Sequence, residues 1–306
     1  MEMNIDLVYL WVDGNDPKWL EKKNRFIEKK INTVGRYQDN QELKYSLRSI
    51  EKHLPWIRKI FIVTDDQTPI FLKPNHPKIE IVHHSEIIPK KFLPNFNSRV
   101  IEYFMYKIPD LSEKFLYAND DMFVNADLKP SFFFEKGIPI MRMKYYPYLK
   151  YENKIKKTFK LSLNSYRLAI ENAYALIKKK YDVFYPIIQH HNIDAFLKSD
   201  FKSTVEDVFS EDIKKIFFNR FRSKTDIQRI MINCKAIATN KGILKYVNRE
   251  ESCRLRVHKT NYMDYIIKYN PKLFCLNDTE HATDSHRANI EPFLKKMYPR
   301  KSTFEK

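Results

Sequence analysis

The residues best placed to do chemistry are Asn119-Asp120-Asp121, which follow the apolar run Phe115-Leu116-Tyr117-Ala118 and precede Met122-Phe123-Val124. Two adjacent carboxylates at the end of a buried strand are costly unless a cation or an arginine neutralises them. In an isolated loop the same triplet is an ordinary solvated Asx turn. Its place at a strand end makes Asp120 and Asp121 candidate metal ligands, with Asn119 beside them. Mg²⁺ or Mn²⁺ suits such oxygen donors and bridges them to phosphate oxygens, so a diphosphate is the expected ligand. Asp13-Gly14 closes a second apolar run. Gly14 permits close backbone approach, and Asp13 is placed to meet a ribose, a base or the metal's ligands. Asp16 before Pro17 reads as a cap for the next turn.

Asn97, Ser98 and Glu102 open a predicted helix. Ser98 and Glu102 are four residues apart and share the face opposite the apolar stripe. Free N–H groups at such a start suit phosphate or sugar hydroxyls, although plain capping fits the spacing equally. In the second half, His190-His191 and Arg222 are the acid–base and cationic candidates. A histidine can take a hydroxyl proton near neutral pH. Arg222, just before Ser223, adds its charge to a helix start. Surface roles fit the same spacing. His83-His84 looks like a ligand pair, but neighbours in a strand point to opposite faces, which argues against zinc.

Strands alternating with helices must position these groups. Ile5–Val12, Ile60–Thr64, Ile79–Val82 and Phe115–Ala118 read as buried strands, each stopping at polar, mostly acidic residues. Glu42–His53 reads as a helix with Leu43, Leu47 and Ile50 on one face. A second helix opens at Asn97-Ser98 and buries Ile101, Phe104, Met105 and Ile108. The pattern predicts an α/β, Rossmann-like and mostly parallel sheet, with ligands beyond the carboxyl ends of its strands. If the first and fourth strands are neighbours, Asp13 and Asp120-Asp121 converge on one cleft. The second half is expected to be mainly helical and to cover the strand ends. Its predicted helices are Phe159–Tyr181, the pair Ile193–Leu197 and Val205–Phe218, one opened by a Ser223/Asp226 capping box through Met231, and Ala288–Met297. This divides the chain into 1–145, a nucleotide-sugar-binding core, and 146–306, completing the active site. No sharp boundary separates them, so one integrated domain is the other option.

Composition narrows the class. The 43% hydrophobic content supports a real core rather than disorder, and no apolar run suffices to cross a bilayer. The N-terminus runs straight into a strand without a cleavable leader, so a cytoplasmic protein is expected. Fifty-five basic against 38 acidic residues give +17, an excess that favours anionic partners: phosphorylated substrates, anionic membrane or nucleic acid. Lysine clusters such as 154–157 suggest peripheral contact at the inner membrane face, yet no amphipathic anchor stands out. No stripe of interleaved aromatic and basic residues supports nucleic-acid binding. Three scattered cysteines, Cys234, Cys253 and Cys275, argue against a disulfide framework or a CxxC zinc site. Only four glycines occur, excluding GxGxxG and Walker loops, so phosphate must be held by metal, basic side chains and helix starts.

These residues resemble the Stealth family of sugar-1-phosphate transferases of bacterial capsules and cell-surface glycans, related to animal N-acetylglucosamine-1-phosphotransferase. Ile5–Gly14 looks like its first block. The second runs from Glu42–Arg48 through Leu54–Ile57, Ile62–Thr64, Phe96–Ser98 and Ile101-Glu102 to Leu116–Phe123. A looser third covers His191 to Ser223, and Leu276–Asp278 with Tyr298–Glu305 forms the fourth. The resemblance implies a glycosyltransferase-A-like fold. It also implies transfer of hexose 1-phosphate, as N-acetylhexosamine 1-phosphate, from a UDP-sugar to a glycan or lipid-linked glycan, releasing UMP. It places functional acids at Asp13, Glu102, Asp120 and Asp121, and the essential His and Arg at His191 and Arg222. Arg48 and Asn97 are implied near the donor. Asp65-Asp66 stands where Asn-Gly is common, and Ala195 where Pro is usual. A metal-dependent glycosyltransferase attacking the anomeric carbon and releasing UDP is the competing reaction; residue geometry alone does not separate the two.

Overall fold

The strands that end in acids are neighbours in one sheet. The structure, a computed structural model, describes residues 4–27, 37–159 and 164–306. The sheet contains β1 (Ile5–Leu10), β2 (Ile60–Thr64), β3 (Ile79–His83) and β4 (Lys114–Asn119), in the order β3-β2-β1-β4 and all parallel. Leu10 pairs with Val63 on one side and Asn119 on the other, so the polar residues after these strands emerge along one edge. Val8, Phe61, Val63, Phe115 and Tyr117 enter one core cluster; Leu7, Tyr9, Ile60, Ile62, Leu116 and Ala118 enter another. Burial on both faces explains why these strands read as unbroken apolar runs.

Helices α1 (Pro17–Asn24) and α2 (Glu42–His53) join β1 to β2, and α2 lays Leu43, Leu47 and Ile50 on the second cluster. The short α3 (His84–Ile87) follows β3. The helix expected from Ser98 begins as α4 (Ser98–Ile101) but tightens to a 3₁₀ helix over Glu102–Lys107. Tyr103, Phe104, Met105 and Tyr106 are all buried there and Lys107 alone of the segment is exposed, so it lacks the broad solvent face an amphipathic α-helix keeps.

Past β4 come β5 (Met122–Val124), β6 (Phe134–Glu135) and β7 (Ile138–Tyr145), then α5 (Leu149–Thr158) and α6 (Ser165–Tyr181). The helix expected over Phe159–Tyr181 includes 160–163, which lie outside the described residues. Strands β8 (Ile187–Gln189) and β9 (Asp194–Leu197) precede α7 (Lys198–Ser203), α8 (Ser210–Ile216) and α9 (Ile230–Ala238). The chain ends with β10 (Ile243–Tyr246), β11 (Ser252–Arg256), α10 (Tyr262–Tyr269), β12 (Leu273–Asn277), α11 (Asp284–Arg287) and α12 (Ile290–Met297). The second half thus adds five strands to its helices.

Two sequence expectations fail here. Residues 193–197 are not helical: β9 pairs antiparallel with β4, from Tyr117↔Asp194 to Lys114↔Leu197. Ile193 and Ala195 enter one core cluster and Phe196 the other, the two-residue period of a strand buried on both faces. Ser223 and Asp226 do not open a helix either. The Ser223 N–H donates to Asp226 at 3.0 Å within a turn, and α9 starts only at Ile230. Asp226 is instead a fully buried acceptor for Asn97, Asn219 and Arg99, at 2.8–3.1 Å.

Candidate active site

A cleft of about 670 Å³ opens along the carboxyl edge of the main sheet. Asn119, Asp120 and Asp121 line it from the turn between β4 and β5. The parallel pairing of β1 with β4 brings Trp11 and Val12 beside them, while Tyr37, Gln38 and Glu42 arrive with the start of α2. Ser98 and Arg99 come from α4, Asn164–Tyr166 from the start of α6, and Asn277–Glu280 from the end of β12.

The acidic wall is crowded. Burial holds the Asp120 carboxyl well above the usual carboxylate range, and the charges of Glu42, Asp121 and Asp39 add to this. Burial likewise raises Glu42 to about 7 and lifts Asp39. Glu42 accepts hydrogen bonds from the Asn40 backbone and side-chain amides, both at 2.7 Å. Asp121 keeps one carboxylate oxygen, Oδ1, buried without a hydrogen-bond partner. A wall of acids with an orphaned oxygen fits a divalent cation, which would neutralise the repulsion and take the lone pair. Among the described residues, Asp121, His191 and Cys275 offer ligand atoms within 4.8 Å of one another; Asp120 is not one of this trio.

His191 reaches the cleft because β9 runs antiparallel to β4. The segment leading into β9 therefore lies at the same edge as the end of β4. His191 Nε2 stands 3.6 Å from Asp121 Oδ2, and the residue adopts a left-handed backbone with φ 59°. Non-glycine residues rarely adopt that conformation, and where they do it is often at functional sites. His190 faces the other way, its Nδ1 2.9 Å from Ser252 Oγ and its Nε2 3.5 Å from Asp194. Arg222 lines the cleft opposite and donates to Ser98 Oγ at 3.1 Å. His84, also on the cleft wall, is held neutral by burial, its pKa lowered to about 4.

Other candidates lie behind the cleft surface. Glu102 pairs with Arg229 at 3.2 Å and meets the Tyr117 hydroxyl, which sits between Glu102 (3.2 Å) and Asn119 Oδ1 (2.7 Å). Arg229 also donates to Asp194 at 2.6 Å. Glu102 is thus linked to the cleft through Tyr117 and Asn119. Asn97 is fully buried and donates to the carbonyls of Asn219 and Phe221 and to Asp226, fastening the loop that carries Arg222. Arg48, expected near the donor, is instead buried in a two-pronged pair with Glu305 at 2.7 Å and donates to the Tyr298 carbonyl. It ties the C-terminal segment to α2. Asp13 caps its own loop through Asn15 N and is clasped by Gln67, which donates to its carbonyl at 2.9 Å. Gly14 admits the chain's own backbone rather than a ligand: a Cβ there would lie 2.0 Å from the Tyr37 carbonyl oxygen. Asp16 caps α1 as expected.

The sequence reading passed over Asp39, Glu42, Cys275 and the aromatic wall of Trp11, Trp19, Tyr37 and Phe96. Trp19 packs at 5.1 Å on Tyr37 and edge-on to Phe96 at 5.6 Å. Glu42 looked like an ordinary first-turn helix acid, and Asp39 carried no spacing signal. Asn277 and Asp278 were visible as a short polar break after an apolar run.

Two sequence regions described as conserved regions 1 and 2 of Stealth proteins match residues 3–31 and 36–140. The capsular polysaccharide phosphotransferase WcwK of Streptococcus pneumoniae is 31% identical over 337 residues, covering all of both chains. The chain belongs to the Stealth family. The Haemophilus influenzae capsular polysaccharide phosphotransferase fcs1 is 34% identical across 95% of this chain and 82% of the relative. As a Stealth member the chain is a transferase. The first matched region holds Asp13 and the second holds Asp39, Glu42, Ser98 and Asn119–Asp121; His191 and Arg222 lie beyond both. Among solved structures, the galactosyltransferase LgtC aligns over 97% of this chain and 96% of its own, at 12% identity and a TM-score of 0.49. That is a loose likeness of shape and assigns no activity.

Proposed function

We propose that this enzyme transfers hexose 1-phosphate, as N-acetylhexosamine 1-phosphate, from a UDP-sugar to a hydroxyl of a glycan or lipid-linked glycan. The products are a phosphodiester and UMP, made during capsule or cell-surface polysaccharide synthesis. The observation that carries the reading is the convergence of Asp120 and Asp121 with His191 and Arg222 on one cleft, although some 100 residues separate the acids from Arg222 in the chain. Family membership and the relatives' names support phosphoryl rather than glycosyl transfer.

In this mechanism the acceptor oxygen attacks the sugar-bearing β-phosphorus. A new O–P bond forms as the bridging P–O bond to UMP breaks, and the sugar keeps its anomeric C–O bond. His191 accepts the hydroxyl proton. Arg222 steadies the developing phosphate charge, held in place by Ser98. Glu102 and Tyr117 fix the Asn119 amide toward the cleft. Asp121 and Asp120 would hold Mg²⁺ or Mn²⁺, which when bound neutralises charge on the diphosphate. The aromatic wall suits a nucleobase. Residues 1–145 would supply the donor site and 146–306 the His and Arg, as one unit laced by β9 and β12. Action in the cytoplasm at the inner membrane face goes with a lipid-linked acceptor.

The test is to incubate the protein, Mg²⁺ and a glycan acceptor with a panel of UDP-sugars and resolve the nucleotide products by chromatography. UMP is expected. Release of UDP instead would overturn phosphoryl transfer in favour of anomeric attack.

A further inference from the structure

Among the described residues no helix is long and apolar enough to cross a membrane, yet one short helix carries an exposed apolar stripe. Tyr148, Tyr151, Ile155 and Phe159 are spaced by three, four and four residues, so they share one side of α5 and the residues flanking it. Backbone hydrogen bonds from Tyr151 N to Tyr148 O and from Phe159 N to Ile155 O keep both flanking residues in helical geometry. All four are exposed, at 70%, 60%, 54% and 70%. The helix is anchored from another side: Leu149 is buried in the main core, and Glu152 accepts from the Tyr146 hydroxyl at 2.8 Å and pairs with Arg167 at 3.5 Å. The stripe is therefore turned outward by the packing. Exposed Tyr145 and Tyr246, in edge-on contact at 5.3 Å, extend it along the ends of β7 and β10.

Charge says what this face fits. Residues 144–159 hold five lysines and one glutamate, and that glutamate is already paired with Arg167. Lys144 and Lys245, each next in sequence to one of the two tyrosines, are exposed. A second copy of the chain would bring the same lysines together and be repelled. A neutral glycan would satisfy the tyrosines but match neither the apolar Ile155 and Phe159 nor the local excess of basic residues in the sequence. An apolar stripe with aromatic ends, set among lysines on a short helix, has the composition of an interfacial helix on an anionic bilayer. We infer that α5 and the Tyr145/Tyr246 pair dock this enzyme on an anionic lipid surface. Docking there also sets the cleft at the membrane, because Asn164–Tyr166, five residues past Phe159, line its wall.

The experiment is co-sedimentation with phosphatidylcholine vesicles prepared with and without phosphatidylglycerol, using the full chain and the variant Tyr151→Gln/Ile155→Gln/Phe159→Gln. Glutamine keeps helix propensity and every lysine, so a difference between the two proteins isolates the apolar stripe from the general +17 charge. The full chain should bind the anionic vesicles and not the neutral ones. The variant should bind at least about ten-fold more weakly, with unchanged circular dichroism and thermal midpoint. Equal binding by both proteins, no binding of the full chain to anionic vesicles, or a dimer that the variant abolishes would each overturn the inference. Vesicle binding needs no turnover, so its failure leaves the proposed reaction standing.

Discussion

Two sets of acids in this fold live under opposite rules. Beneath the cleft, four buried carboxylates have guanidinium partners: Glu102 and Asp194 share Arg229, Asp226 faces Arg99, and Glu305 grips Arg48. On the cleft wall, Glu42, Asp120 and Asp121 crowd one another with Asp39 close behind, and burial raises the pKa values of Asp39, Glu42 and Asp120. Paired acids hold the frame together; crowded ones are, in the function proposed above, the seat of a cation that is not a side chain. Charge alone does not mark the site. What marks it is charge that the fold leaves uncompensated.

The contrast can be broken at either end. Arg229→Ala strips two buried acids of their partner and should cost about 3–5 kcal/mol of stability, read as a large fall in the denaturant midpoint; a variant as stable as the parent would erase the distinction. Asp121→Ala should do the reverse, lowering UMP release by ~10²–10³ while the midpoint holds or rises. A smaller effect separates the two through metal: Mg²⁺ or Mn²⁺ should raise the thermal midpoint of the parent protein and shift that of Asp121→Ala much less. If both variants respond alike, the ion binds elsewhere. The subtlest test uses pH. Because folding raises Glu42 from 4.5 to about 7, the unfolded state loses its proton first as pH rises. Stability therefore falls between those values, and the loss is complete above the upper one. Glu42→Gln should flatten that fall, gaining on the parent above neutrality and matching it in acid, as followed by thermal unfolding across pH.

Much of the frame was legible because its physics is local. The apolar runs Ile5–Val12, Ile60–Thr64 and Phe115–Ala118 read as buried strands, the first of them two residues longer than β1 itself, and the 3.6-residue stripe of Leu43, Leu47 and Ile50 read as α2. The register of β1 with β4 then did what strand order predicts, placing Asn119 opposite Leu10. The failures are non-local. Residues 193–197 are short and apolar, a pattern that helix and strand share, and only pairing with β4 decides between them. Arg48 matched a motif near the donor, yet its partner Glu305 lies 257 residues away, a contact no spacing reveals. The exposed stripe of α5 was hidden for the same reason: apolar residues at helical spacing read as core until the fold shows which side they face.

The sequence by itself determined the acids at a strand end, the alternation of strands and helices, and the charge excess. Each depends on periodicity or composition within a few residues. The resemblance already pointed to His191 rather than His190, but only the tertiary structure shows why it faces those acids: an antiparallel edge strand delivers its lead-in to the end of β4. It decided too that Glu102, Asn97 and Arg48 are held in the frame, and that Glu42 joins the cleft wall. Those outcomes turn on which charges find partners once distant segments pack.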